Sequence, residues 1–229
     1  MRTLMLSLAA ALALWAGPAA AAEPATLVPP PAADEPLRAG AATETAVLAG
    51  GCFWGVQAVF QHVTGVSRAV SGYAGGSRET AQYDTVSSGR TGHAESVEIT
   101  FDPGVISYGR LLRIYFSVAH DPTQLDRQGA DVGSQYRSAI FTRDDAQRRV
   151  AESYVAQLNQ SNVFGRPLAT RIAPLEAFYP AEDYHQDFAT LHPDHPYIAY
   201  TDLPKLDDLK RLFPEAYRPV PVLVGAAPP

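Results

Sequence analysis

The chain predicts a mixed α/β (α+β) domain in which helices pack on one mixed sheet. Three observations carry that expectation. Strand-period and helix-period segments intermingle, with no long block of either. Between proline- and alanine-rich ends lie about 175 residues, enough for a single core, with no internal repeat. Two long, polar, glycine-dotted loops interrupt the periodic segments, and long loops inside a compact domain usually carry function.

The elements follow in order. Residues 44–49 read as a buried strand and 53–63 as a helix, with Val56, Val59, Phe60 and Val63 at helical spacing. Residues 66–73 alternate as a strand, ended by Gly75-Gly76. The first polar loop covers 76–92 and holds a short helix at 80–87. Residues 95–101 alternate again and stop at Asp102-Pro103. A helix over 107–119 places Leu111, Leu112, Tyr115 and Phe116 on one face. The second polar loop covers 121–135. A strand at 138–141 is followed by a helix at 144–159, whose first turn suits Asp144 and Asp145. Residues 170–174 read as a strand, and 178–200 as an irregular stretch rich in Tyr and His.

The ends differ from the core. Residues 1–22 read as a signal peptide: Arg2, an apolar run from Leu4 to Trp15, and the small residues Ala20-Ala21-Ala22. The expected product is exported, periplasmic or secreted, after cleavage near Ala22. Residues 23–43 contain five prolines and read as a flexible linker. The domain is expected at 44–217 and a flexible tail at 218–229. The net charge of −6, one unit more negative without the leader, disfavours nucleic acid or an anionic membrane surface as partner. A monomer is expected.

Cys52 is the only cysteine, so no internal disulfide exists. It sits in Gly50-Gly51-Cys52-Phe53-Trp54-Gly55, between a strand and a helix. Backbone N–H groups at a helix start favour anions, so the thiol is expected to be thiolate-prone. A lone exported thiol points to reactivity or intermolecular pairing. Glu95, in Gly92-His93-Ala94-Glu95, opens a strand where a desolvated carboxyl can serve as a general acid. Asp131 and Tyr136 lie on the second loop and Tyr83 on the first, each a candidate to orient or protonate a polar atom. Their residue types equally suit turns and packing. His185, His192 and His195 fit no standard zinc spacing, so no metal is expected and packing roles are favoured. The only methionines are Met1 and Met5, both inside the predicted leader.

Taken in order, GCFWG, GYAGG, SGRTGHAE, QGADVGSQYRS, PAEDYHQ and HPYIAY-DLPKL resemble the A-type peptide-methionine sulfoxide reductases, which act on the S epimer. The resemblance spans about residues 44–217. It implies a two-layer α/β sandwich around a mixed sheet. It implies Cys52 as nucleophile, Phe53 and Trp54 as the pocket for the S-methyl group, and Glu95 as the acid that protonates the sulfoxide oxygen. Tyr83 and Tyr136 would hydrogen-bond that oxygen, Asp131 would orient the site, and His185 and Tyr197 would line it. The partners implied are oxidised proteins or peptides and a thiol reductant, with no bound cofactor. Attack by Cys52 would release methionine and leave a sulfenic acid. Many relatives carry Asn-Pro where Thr80-Ala81 stand, a cysteine where Ser87 stands, and one or two C-terminal resolving cysteines. Here the reductant must therefore be external: thioredoxin-type, glutaredoxin-type or a small thiol.

Two other classes stand beside this one. A cysteine hydrolase would pair Cys52 with His93 or His185. A non-catalytic module would bind methionine-containing proteins through the aromatic cleft. A disulfide oxidoreductase is disfavoured because the chain has no Cys-x-x-Cys.

Overall fold

The computed structural model describes residues 23–225. The predicted signal peptide and the last four residues lie outside them. The chain order is β1 (Glu44–Ala49), α1 (Phe53–Gln61), β2 (Val66–Ala74), α2 (Tyr83–Val86), β3 (Ala94–Phe101), α3 (Tyr108–Ile114), β4 (Arg127–Gln128) and β5 (Asp131–Val132). It continues with β6 (Ala139–Thr142), α4 (Asp145–Ser161), β7 (Arg171–Pro174), β8 (Phe178–Pro180), α5 (Phe188–Leu191) and α6 (Leu203–Leu212).

Six strands form one sheet in the order β7-β6-β1-β3-β2-β8. Only β6 and β7 pair in parallel, so the sheet is mixed, as expected. Side chains alternate across it with period two. On β1, Ala46 and Leu48 join the main core while Val47 and Ala49 face the other way. That main core also holds Val56 and Phe60 of α1, Leu111 of α3, Tyr154 of α4 and Leu209 of α6. The long helices therefore cover one face, giving the two-layer sandwich. The second face is closed by Phe141 with Leu175 and Phe178.

Local signals account for most boundaries. Asp144 caps α4 by accepting from the Gln147 N–H at 2.8 Å, and Asn162 ends it in the left-handed region. The helix expected over 107–119 runs as α3 and then widens into a π-type turn at Tyr115–Ala119. There the buried Tyr115 hydroxyl donates to the Ala49 carbonyl at 2.7 Å, tying the helix to the end of β1. Sequence reading missed α6. Pro204 in its first turn and the spacing of Leu206, Leu209 and Phe213 were its signals.

The segment expected to be a flexible linker is instead packed along α3 and α4. Val28 is fully buried. The Thr26 N–H donates to the Ser117 carbonyl at 3.0 Å. Arg113 Nε donates to the Val28 carbonyl at 3.0 Å, Tyr154 Oη to Pro29 at 2.6 Å and Gln157 Nε2 to Pro30 at 2.9 Å. Prolines suit such a strap: they bring no N–H to satisfy, and their carbonyls take donors from the helices. The expected tail is also tied down as far as Val224. The Arg218 N–H bonds the His62 carbonyl, Val222 bonds Gln61, and Val224 bonds the Asp187 carboxylate.

Candidate active site

β1 delivers the chain to the site and α1 carries it away. Cys52 sits at the turn between them as the residue before the first helical position. Gly51 must be glycine. Its φ is +88°, and a Cβ there would come within 2.8 Å of Gln128.

Cys52, Phe53, Trp54, Tyr83, Glu95, Asp131, Tyr136 and Tyr197 line one cleft of about 460 Å³ including its open mouth. Five segments far apart in sequence thus converge. Glu95 comes from the start of β3 and is 2% exposed. Its Oε2 accepts from the Phe53 N–H at 3.0 Å, which fixes it beside the Cys52 turn. Burial pushes its carboxyl up to about 8, against the pull of the Phe53 N–H and with a further push from Asp131. Glu95 is therefore an uncharged acid at neutral pH, with a proton to give.

The thiol differs from expectation. Burial holds Cys52 well above its ordinary value, and the carboxylates of Glu95 and Asp202 push it further, while the Trp54 N–H works the other way. The helix start is outweighed, so the resting residue is a thiol rather than a thiolate. Cys52 and Glu95 disfavour each other's ionisation, so the resting pair is neutral.

The phenols are held from behind. Tyr197 Oη donates to Asp131 Oδ2 at 2.5 Å. Asp131 itself stands at the end of the β4–β5 hairpin, opposite Gln128. Burial raises both Tyr83 and Tyr136, with Glu95 adding to the effect, so both are neutral hydroxyl donors. Tyr83 keeps its place although Thr80-Ala81 precede it. Its N–H donates to Glu182 Oε1 at 2.9 Å, and Tyr73 Oη donates to the other carboxylate oxygen at 2.9 Å.

Trp54 stacks on Phe188 at 4.0 Å between ring centroids and meets Tyr197 edge-on. Its Nε1–H donates to His185 Nδ1 at 3.2 Å. His185 does not line the cleft. It stands behind it, with Phe53 at 5.0 Å and Tyr83 at 4.4 Å between ring centroids. Burial lowers its pKa, so it is a neutral brace for the aromatic wall.

Sequence reading named no role for Asp202 or Lys205. Asp202 is 1% exposed and pairs with Lys205 at 3.1 Å. The pair presses on Gly55, where a Cβ would fall 2.1 Å from Asp202 Oδ1. The signal lay in HPYIAY-DLPKL, whose charged residues stand three apart at a helix start. Among the described residues, the hydrolase pairing of Cys52 with His93 or His185 is not formed. His93 Nε2 is engaged with the Ser77 carbonyl at 2.9 Å, and neither His93 nor His185 lines the Cys52 cleft.

Comparisons with known proteins point to one family. A family model described as peptide methionine sulfoxide reductase matches residues 44–216. A peptide methionine sulfoxide reductase (MsrA 2) of Mesorhizobium japonicum is 59% identical over 190 residues, covering 83% of this chain and 97% of the relative. One from Thermus thermophilus is 47% identical over 176 residues, covering 77% of this chain and 98% of the relative. Methionine sulfoxide reductase A of Corynebacterium diphtheriae shares the fold with a TM-score of 0.57 and 36% identity, over 79% of this chain and 88% of that one. The chain belongs to the peptide methionine sulfoxide reductase family.

Proposed function

We propose that the protein reduces methionine S-sulfoxide, in peptides and as the free amino acid, to methionine. The observation that carries this reading is the uncharged Glu95 acid held in one cleft with the Cys52 thiol. Sulfoxide sulfur is a poor electrophile until its oxygen takes up positive character. Glu95 gives that oxygen a proton while Tyr83 and Tyr136 donate hydrogen bonds to it. Phe53 and Trp54 receive the S-methyl group. Cys52 sulfur then attacks the sulfoxide sulfur. The oxygen ends on Cys52, methionine leaves, and the thiol proton replaces the one Glu95 gave. One thiol and one sulfoxide thus become one sulfenic acid and one thioether.

With a single cysteine, Cys52 sulfenic acid has no internal partner. An external thiol closes the cycle, and thioredoxin-type, glutaredoxin-type and small thiols are the candidate donors. The leader-like residues 1–22 support export, periplasmic or secreted, with cleavage near Ala22.

The test is turnover of the two separated epimers of a blocked methionine sulfoxide, with dithiothreitol as reductant. Reduction of the S epimer alone, lost in Cys52→Ser, is the expected result. Turnover that persists in Cys52→Ser, or that needs no added thiol, would overturn the reading.

A further inference from the structure

Cys52 stands where two cavities meet. One is the cleft with Glu95. The other is a narrower recess that shares with the cleft only Cys52, Asp131 and Tyr197. Its remaining wall comes from different parts of the chain: Pro24 and Ala25 of the N-terminal strap, Val118, the β4–β5 hairpin and Lys205 of α6. The strap is tied to this wall through Glu23. Its carboxylate accepts from Gln124 Nε2 and, at 2.8 Å, from Gln128 Nε2. Gln128 in turn lies against Gly51, next to the nucleophile.

We infer that this second cavity is where an external aliphatic thiol meets the oxidised Cys52. The inference rests on the sulfoxide-reduction reading above. The oxygen arrives on Cys52 from the Glu95 cleft, and the same acid and phenols assist its departure as water. Displacement at divalent sulfur runs in line, so the incoming sulfur must approach from the face away from the departing oxygen. The second cavity reaches Cys52 through a wall that does not include Glu95.

Its chemistry fits that task. Pro24, Ala25 and Val118 offer an aliphatic surface to its methylene groups. The carboxylates of Glu23 and Asp131 disfavour a thiol with net negative charge. The ligand class is therefore a small uncharged or zwitterionic aliphatic thiol. The incoming thiol forms an S–S bond to Cys52 as the C–S–OH oxygen leaves with the thiol proton as water. A second thiol then attacks the external sulfur, freeing Cys52 as a thiol and releasing a symmetric disulfide.

The test separates the two half-reactions. Protein without reductant is mixed with one equivalent of a methionine S-sulfoxide peptide, and release of the reduced methionine peptide is measured. The oxidised protein is then mixed with 2-mercaptoethanol, and loss of sulfenic acid is followed with a trapping reagent. Two variants narrow the second cavity from two different segments of its lining: Ala25→Phe on the strap and Ala130→Phe at the exposed tip of the hairpin. Both are expected to release methionine within about twofold of the unaltered protein and to react with 2-mercaptoethanol about tenfold more slowly. Unchanged reaction with 2-mercaptoethanol in both variants, or equal loss in both steps, would overturn the inference. A thioredoxin-type protein in place of 2-mercaptoethanol distinguishes the source. Slowing of both donors places a protein cysteine in the same cavity, and slowing of the small thiol alone makes the cavity a small-molecule site. No methionine from the unaltered protein would instead defeat the reading on which the inference rests.

Discussion

The two sides of Cys52 are built from different materials. The Glu95 side hangs on regular elements: the start of α1, the start of β3, and Tyr83 clamped by Glu182. The other side adds, beside Val118 and Lys205, a strap without regular structure and a hairpin of two-residue strands. Transition-state chemistry needs donors fixed within fractions of an ångström, and packed elements supply that. Admission of a thiol needs only a passage of the right width and charge, for which pliable segments suffice. The comparison predicts that lesions on the first side damage the first half-reaction, and lesions on the second side leave it intact.

Glu95→Gln should cause the largest loss. It removes the proton and keeps the shape, so single-turnover methionine release should fall by about 10²–10⁴-fold. The same variant sharpens the argument through stability. A carboxyl raised to about 8 in the folded state binds its proton more tightly there than in the unfolded chain. Stability is then fully present below the unfolded value and declines as pH rises from there toward about 8. Glu95→Gln should therefore melt higher than the unaltered protein at pH 7–8, by a margin that vanishes near pH 4. A melting temperature that does not rise in the variant at pH 8 would show that Glu95 is not held as a buried acid.

Lys205→Met comes next. It leaves Asp202 buried without its cation and should cost about 3 kcal/mol in denaturant unfolding. Tyr136→Phe and Tyr83→Phe should each lower kcat/KM by about tenfold with little change in stability, since each removes one hydroxyl donor from the cleft. Equal losses in Tyr136→Phe and in a tyrosine remote from the cleft, such as Tyr200→Phe, would break the assignment. The pH profile of methionine release should decline above about 8 as Glu95 loses its proton. The smallest effect belongs to the strap: Val28→Ala should cost about 1–2 kcal/mol of stability while methionine release stays the same.

Much of the site was legible because its signals are local. A glycine-flanked Cys52 between an apolar strand and a helical repeat names its own turn, and Glu95 opens a strand whose alternation is plain. What escaped was set at long range. The thiol was read from the helix start beside it, whereas its burial and the carboxylates of Glu95 and Asp202, 43 and 150 positions away in sequence, decide its ionisation. The strap was read from its prolines, whereas its anchors are Arg113, Tyr154 and Gln157, 85 to 127 positions onward. His185 was placed in the wall by the resemblance alone, and its contacts with Phe53, Tyr83 and the Trp54 indole set it one layer back.

The strap also sets an order of events during folding. Its partners Tyr154 and Gln157 on α4 do not exist until about two-thirds of the chain has been made, so a segment made early is among the last to dock. An element that joins late with few buried side chains also opens first, at a cost well below that of global unfolding. Hydrogen exchange should find Thr26 and Val28 exchanging long before the amides of β1 and β3. An early-made segment would then serve as the protein's most easily lifted hatch, moving on a timescale that leaves the sheet and its acid undisturbed.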